Sequence, residues 1–166
     1  VHTSAAAQQA PATSGLVFDD AERAMRRKTH STIRRVTQDI NPRVHLNTAV
    51  AALMELVNEL YAFCELRGAR PLGVDDEPPA VVERPETAAV LREATEALVL
   101  MLSPFTPHMC EELWEHLGHT DGVVAAGWPS CDEDAAREES IELPVQVNGK
   151  VRGRILVPVD STVEAN

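Results

Sequence analysis

The residues of this chain best suited to chemistry are its clustered cations. Six of the fifteen Lys and Arg residues (Arg23, Arg26, Arg27, Lys28, Arg34 and Arg35) fall in one stretch that holds a single acid, Glu22, and also contains His30. Three more, Lys150, Arg152 and Arg154, sit close together near the other end. Cations at this density suit a polyanion, because each phosphate they neutralise releases a condensed counterion. The formal net charge of −11 and a pI near 4.9 act in the opposite direction, since an acidic surface repels nucleic acid. A polyanionic partner therefore has to rest on these two clusters. Each also has a plainer explanation: charges on a helix face are commonly just solvated, and Lys and Arg commonly guard exposed sheet edges.

Other reactive types are present without a supporting pattern. No Ser/His/Asp, Cys/His or paired-carboxylate constellation stands out, so no catalytic residue is assigned. His108, Glu112 and His116 recur at i, i+4 and i+8, a spacing open to zinc. No Cys pair or HExxH accompanies them, and no metal ligand is assigned. Cys64, Cys110 and Cys131 form an odd, widely spaced set, which argues against a disulfide framework and for a reducing cytoplasm. Cys64 and Cys110 read as buried small hydrophobes, and Trp114 and Trp128 as core anchors rather than base-stacking platforms. Hydrophobic residues make up 44% of the chain, enough for a real core. No apolar run approaches the roughly 18–20 residues that span a bilayer, so a soluble protein is expected.

The elements that must position these residues follow from periodicity. Residues 1–15, rich in Ala, Gln, Ser, Thr and Pro, read as a flexible leader. A first helix is expected from Asp19 or Asp20 to Ile40, with Met25, Thr29, Ile33, Val36 and Ile40 as its buried stripe. Arg23, Arg27, His30 and Arg34 are offset by about two residues, which makes a solvated basic ridge on the opposite face. A second helix is expected from an Asn47 N-cap to Arg67, stopped by Gly68. Its apolar set (Val50, Leu53, Met54, Leu56, Val57, Leu60, Tyr61, Phe63 and Cys64) covers more than half its circumference and implies a central place in a bundle. After a Pro-rich acidic loop over 71–85, a third helix (86–102) should bury Leu91, Ala94, Leu98 and Met101. A fourth should run from Pro107 to Leu117. Four helices with short to moderate connections imply an antiparallel bundle over 16–120.

From Val123 the period changes. An acidic connecting segment over 121–140 leads into Ile141, Leu143, Val145 and Val147, an alternating strand, and Asn148-Gly149 signals a turn. A strict two-residue turn would set Val147 against Lys150 and Val145 against Arg152. A type I turn with Gly149 as a G1 bulge restores apolar against apolar and is the expected geometry. Gln146, Lys150, Arg152 and Arg154 would then share the outer face of the hairpin, which occupies 141–166.

Four segments resemble bacterial-type leucyl-tRNA synthetases, in the family's order. They are 26–39, with Arg26-Arg27-Lys28-Thr29-His30 and Ile33-Arg34-Arg35-Val36-Thr37-Gln38-Asp39; 47–58, from Asn47-Thr48-Ala49 to Val57-Asn58; 102–114, with Leu102-Ser103-Pro104-Phe105-Thr106-Pro107-His108; and 145–153, with Val147-Asn148-Gly149-Lys150. The third is shared with the isoleucyl, valyl and methionyl enzymes, and the last is the most specific. The resemblance implies a mainly α fold: a class Ia anticodon-binding-type bundle with a C-terminal β-hairpin belonging to a truncated C-terminal domain. It further implies docking of tRNA(Leu) in the cytoplasm, with no membrane or DNA partner, for leucylation by catalytic domains absent from this fragment. Arg23, Arg26, Arg27, Lys28, His30, Arg34 and Arg35 would contact phosphate and 2′-hydroxyl groups of an A-form stem without reading bases. Lys150, Arg152 and Arg154 would face the outer corner and variable arm. The HIGH and KMSKS signatures are missing, so ATP and Mg are expected only in the parent's absent catalytic domain. The fragment itself is expected to hold no cofactor and to be inactive alone. The alternatives are a structural bundle that packs on the catalytic body with little RNA contact, and the same domain of an isoleucyl, valyl or methionyl enzyme.

Overall fold

The computed structural model describes residues 15–42, 44–68 and 84–137, and the backbone of 140–147 and 150–158. Its elements are α1 (Asp20–Ile40), α2 (Leu46–Leu66), α3 (Pro85–Leu102), α4 (Pro107–His116), the short α5 (Val123–Ala126), β1 (Ser140–Val147) and β2 (Lys150–Pro158). The helices lie in one compact unit ending at Ala136, and the strands in a second beginning at Arg137. The architecture is mainly helical. The leader over 1–14 and most of the loop over 71–85 lie outside the described residues.

Of the two candidate acids, Asp19 caps α1. Its carboxylate accepts the Glu22 N–H at 2.9 Å and the Glu22 carboxylate accepts the Asp19 N–H at 2.9 Å, a complete capping box. Met25, Thr29, Ile33 and Val36 are buried as the period requires, and Ile40 is half-buried. The α2 start differs from expectation, because His45 and not Asn47 occupies the N-cap, without a side-chain bond. Val44, in the left-handed region at φ 55°, turns the chain so that the His45 N–H reaches the Asp39 carbonyl at 2.7 Å. The helix is therefore already under way at Asn47.

The core is formed by α1, α2 and α3. Met25, Ile33 and Val36 meet Ala49, Ala52, Leu53, Leu56 and Phe63 of α2 and Val90, Ala94, Ala97 and Met101 of α3. Leu91 and Leu98, expected in this core, pack against it half-buried. The start of α1 meets the end of α2 through Asp19 and Arg67 and the start of α3 through Glu22 and Thr87. Thus α2 runs antiparallel to its two neighbours. The fourth helix is not a member of this core. It packs on the far side of α3 through a second cluster of Val99, Cys110, Trp114 and Val123. One sequence expectation falls with it. Val50, Met54 (64% exposed) and Tyr61 (57%) of α2 remain in water, since α2 is covered on one side only. Trp114 docks α4, and Leu113 beside it is exposed.

In the second unit β1 and β2 pair antiparallel. Val147 pairs with Lys150, so the connection has the strict two-residue length and not the odd-length loop expected. The irregularity falls instead further along β2, where Gln146 pairs with Val151 and Val145 with Gly153, skipping Arg152. The shift sets Leu143 against Ile155 and Ile141 against Val157. The need for an apolar register is thus met by a bulge inside the strand. Asn148 and Gly149, the expected G1 position, lie outside the described residues, as do the side chains of Gln146, Lys150, Arg152 and Arg154.

Candidate nucleic-acid interface

Helix α1 sends its cations to two sides, and most of them already hold an acid. On one side Arg26 donates to Glu93 of α3 from Nε at 2.8 Å and from Nη2 at 3.2 Å, and again from Nη2 to Asp132 at 3.2 Å. His30 sits 3.1 Å from Glu93 through Nε2, and its Nδ1 lies 3.2 Å from the backbone nitrogen of Asp132. A backbone N–H only donates, so Nδ1 is assigned as acceptor and Nε2 as the protonated nitrogen facing Glu93. Arg34 reaches Glu133 at 3.4 Å. On the other side Lys28 and Arg35 converge on one oxygen of Glu55 in α2, at 3.1 and 3.4 Å. Arg23 binds the Asp20 carboxylate and the Phe18 carbonyl at the start of its own helix. Arg27 is half-buried.

The expectation is therefore corrected at two residues, His30 of the solvated ridge and Arg26 of the wider cation cluster. His30 is buried, and Arg26 is largely packed away between Glu93, Asp132 and the Phe18 ring, whose centroid lies 5.0 Å from the guanidinium. Helical spacing alone put His30 opposite the apolar stripe, but α3 and the chain after α5 cover that face. Burial opposes the charge on Glu93, yet the hydrogen bonds from His30 and Arg26 hold its carboxyl below the usual range. Asp132 is lowered by the Ala135 N–H and, against some burial, by the neighbouring His30 ring and Arg26 guanidinium. Glu55 is lowered first by its hydrogen bond from Lys28.

The segment 128–136, read from sequence as part of an acidic linker, lies along α1 as a strap. Trp128 donates its indole N–H to Thr37 Oγ1 at 2.8 Å, and the Cys131 thiol donates to the His30 carbonyl at 3.3 Å. Asp132 Oδ1 accepts the N–H groups of Asp134 and Ala135 at 3.1 Å each, which closes a turn whose Ala136 is buried. Trp128 is thus a half-exposed hydrogen-bond donor and not the core anchor expected. The signal that could have found the strap is charge complementarity between 132–139 and 23–35. That signal says nothing of geometry.

The chain's sequence places this geometry. A profile describing the anticodon-binding domain of tRNA ligases matches residues 22–166. This chain belongs to the anticodon-binding domain family of tRNA ligases. Among curated relatives of the domain, leucine–tRNA ligase of Geotalea daltonii is 45% identical over 145 residues, 87% of this chain and 16% of the relative. That of Marinobacter nauticus is 43% identical over 160 residues, 96% of this chain and 17% of the relative. The chain thus spans about a sixth of their length. A crystallised LeuRS–tRNA–LeuAMS ternary complex from Agrobacterium radiobacter K84 aligns with a TM-score of 0.68 at 33% identity, covering 88% of this chain and 16% of that one.

Two further clusters shape the anticodon-binding domain, and sequence reading had not joined either. Glu22, fully buried, accepts from Thr87 Oγ1 at 2.7 Å and from Arg84 at 3.1 Å, while Arg67 holds Asp19 at 2.6 Å. These contacts tie the start of α1 to the ends of α2 and α3. At the α4 end, the Trp114 and His119 rings stack at 3.8 Å and 7°, and Glu96 accepts from His119 at 2.9 Å and from Arg92 at 2.8 Å. His108, Glu112 and His116 are exposed, and His116 Nδ1 bonds the Glu112 carbonyl at 2.8 Å. Cys110 is buried as expected, but Cys64 is only half-buried. None of the described helices is long and apolar enough to cross a membrane.

Proposed function

We propose that this anticodon-binding domain is the docking portion of a leucine–tRNA ligase, presenting tRNA(Leu) to catalytic domains elsewhere in the longer protein. The observation that carries this reading is the 45% identity to leucine–tRNA ligases across most of the chain. The likeness to a LeuRS solved together with tRNA supports it. Leucylation, with its ATP and Mg, belongs to those other domains, and no residue here is assigned to it. Such an enzyme works in the cytoplasm.

The physical role suits the exposed cations of α1. Arg34 and Arg35 reach water with about half their side chains, and Arg23 does so beside Asp20. Together with Arg27 and Lys28 they supply phosphate contacts along a stem, which position an RNA without reading bases. His30 acts through packing, and Arg26 is held first by Glu93, with one edge toward Asp132. The hairpin is the start of a β-rich C-terminal domain, with Lys150, Arg152 and Arg154 as a second contact to the tRNA.

Binding of a leucine tRNA across a salt series tests the reading, beside an Arg27/Arg34/Arg35→Ala variant. Arg26 is left in place because its loss would strand Glu93. The variant is expected to bind about tenfold or more weaker, with a salt slope shallower by about two to three. Equal binding by the variant would return α1 to a purely architectural role.

A further inference from the structure

We infer that the strap over 128–136 is a displaceable internal competitor, whose acids occupy the places on α1 that RNA phosphates take when the domain docks. The inference rests on the RNA-docking reading above. It concerns how that surface is regulated, and not whether it exists.

The strap presents its anions to the same row of cations that an RNA backbone would use. Asp132 sits on Arg26 and Glu133 on Arg34, and the Asp132 amide is donated to His30. Its hold is polar and largely open to water. Glu133 is 67% exposed, Asp132 and Arg34 are each 44% exposed, while Cys131 packs against the core, Ala136 is buried and Trp128 is held by Thr37. Exposed ion pairs of this kind are weak and screened by salt. The hold of Glu93 on Arg26 and His30 is different in kind, because it comes from α3 and not from the strap. Lifting the strap therefore leaves α1 in place and uncovers Arg34 and one edge of Arg26. A polyanion that replaces two carboxylates with phosphates gains counterion release that the strap cannot match. The cost of displacing the strap lowers the apparent affinity for RNA by the fraction of molecules in which the row is open.

The test compares tRNA binding by the 166-residue chain, an Asp132→Asn/Glu133→Gln variant, and a Glu59→Gln/Glu65→Gln control. The control makes the same charge change on the exposed side of α2. The strap variant is expected to bind about fivefold tighter than the parent, and the control less than about twofold. Amide exchange over 128–136 in the parent is expected to rise on tRNA binding, since the Asp132 N–H loses His30. Equal gains by both variants would show only general repulsion and overturn the competitor. Unchanged exchange with tRNA bound would do the same while leaving RNA docking intact. If no variant binds tRNA at low salt, the docking reading and the competitor fall together.

Discussion

His30 and Glu93, 63 residues apart, meet through His30 Nε2 and Glu93 Oε1 at 3.1 Å, and Arg26 closes the same carboxylate from the side. This contact joins α1 to α3 outside the apolar core, and the strap is built on its outer edge. Glu93→Gln leaves Arg26 with only the half-exposed Asp132 for charge, so a loss of about 2–3 kcal/mol at neutral pH is expected in urea unfolding.

The pH dependence has a definite sign. Folding holds the Glu93 carboxyl below its ordinary 4.5, because the bonds from His30 and Arg26 outweigh burial. Its stabilisation is therefore fully present above the unfolded value and is lost as pH falls through the lower folded one. The parent chain should lose stability on acidification below about pH 4.5 faster than Glu93→Gln does. Parallel acid limbs for the two proteins would contradict this.

Glu22 is the other buried carboxylate on which α1 depends. Glu22→Ala removes half a capping box and strips Thr87 and Arg84 of their acceptor, an expected loss of about 2–4 kcal/mol. Thr87→Val should lose about 1 kcal/mol. Thermal unfolding of the two variants checks the order, and a Thr87→Val loss equal to that of Glu22→Ala would be inconsistent with the cap.

The two sides of α2 should respond differently. Met54→Lys and Tyr61→Lys, on the exposed side, should change stability by no more than about 0.5 kcal/mol. Leu56→Ala, fully buried, should cost about 2–5 kcal/mol. Comparable losses at Met54 and Leu56 would mean that α2 is covered on both sides.

His119→Ala removes the ring stacked on Trp114 and frees Glu96 from one donor. Stability should fall by about 1 kcal/mol, and the Trp114 fluorescence should shift as its exposed flank meets water. An unchanged emission spectrum would rule out the stack in solution.

The sequence by itself determined the helices and their family. The period of Met25, Thr29, Ile33 and Val36 set the buried stripe of α1, since side chains three and four apart share a face whatever lies opposite. The cap was legible only as Asp19 or Asp20, and the structure chose Asp19 with Glu22. Tertiary structure decided what local rules leave open. Periodicity gives a helix its apolar face but not its neighbours, so it overstated the burial of Met54 and Tyr61 and placed α4 in the main core. It also put His30 in water, because the residues that bury it, Glu93 and Asp132, come from elements far along the chain. The cation cluster was legible as a composition. Which cations remain open to a partner was decided by where the chain's own acids came to rest.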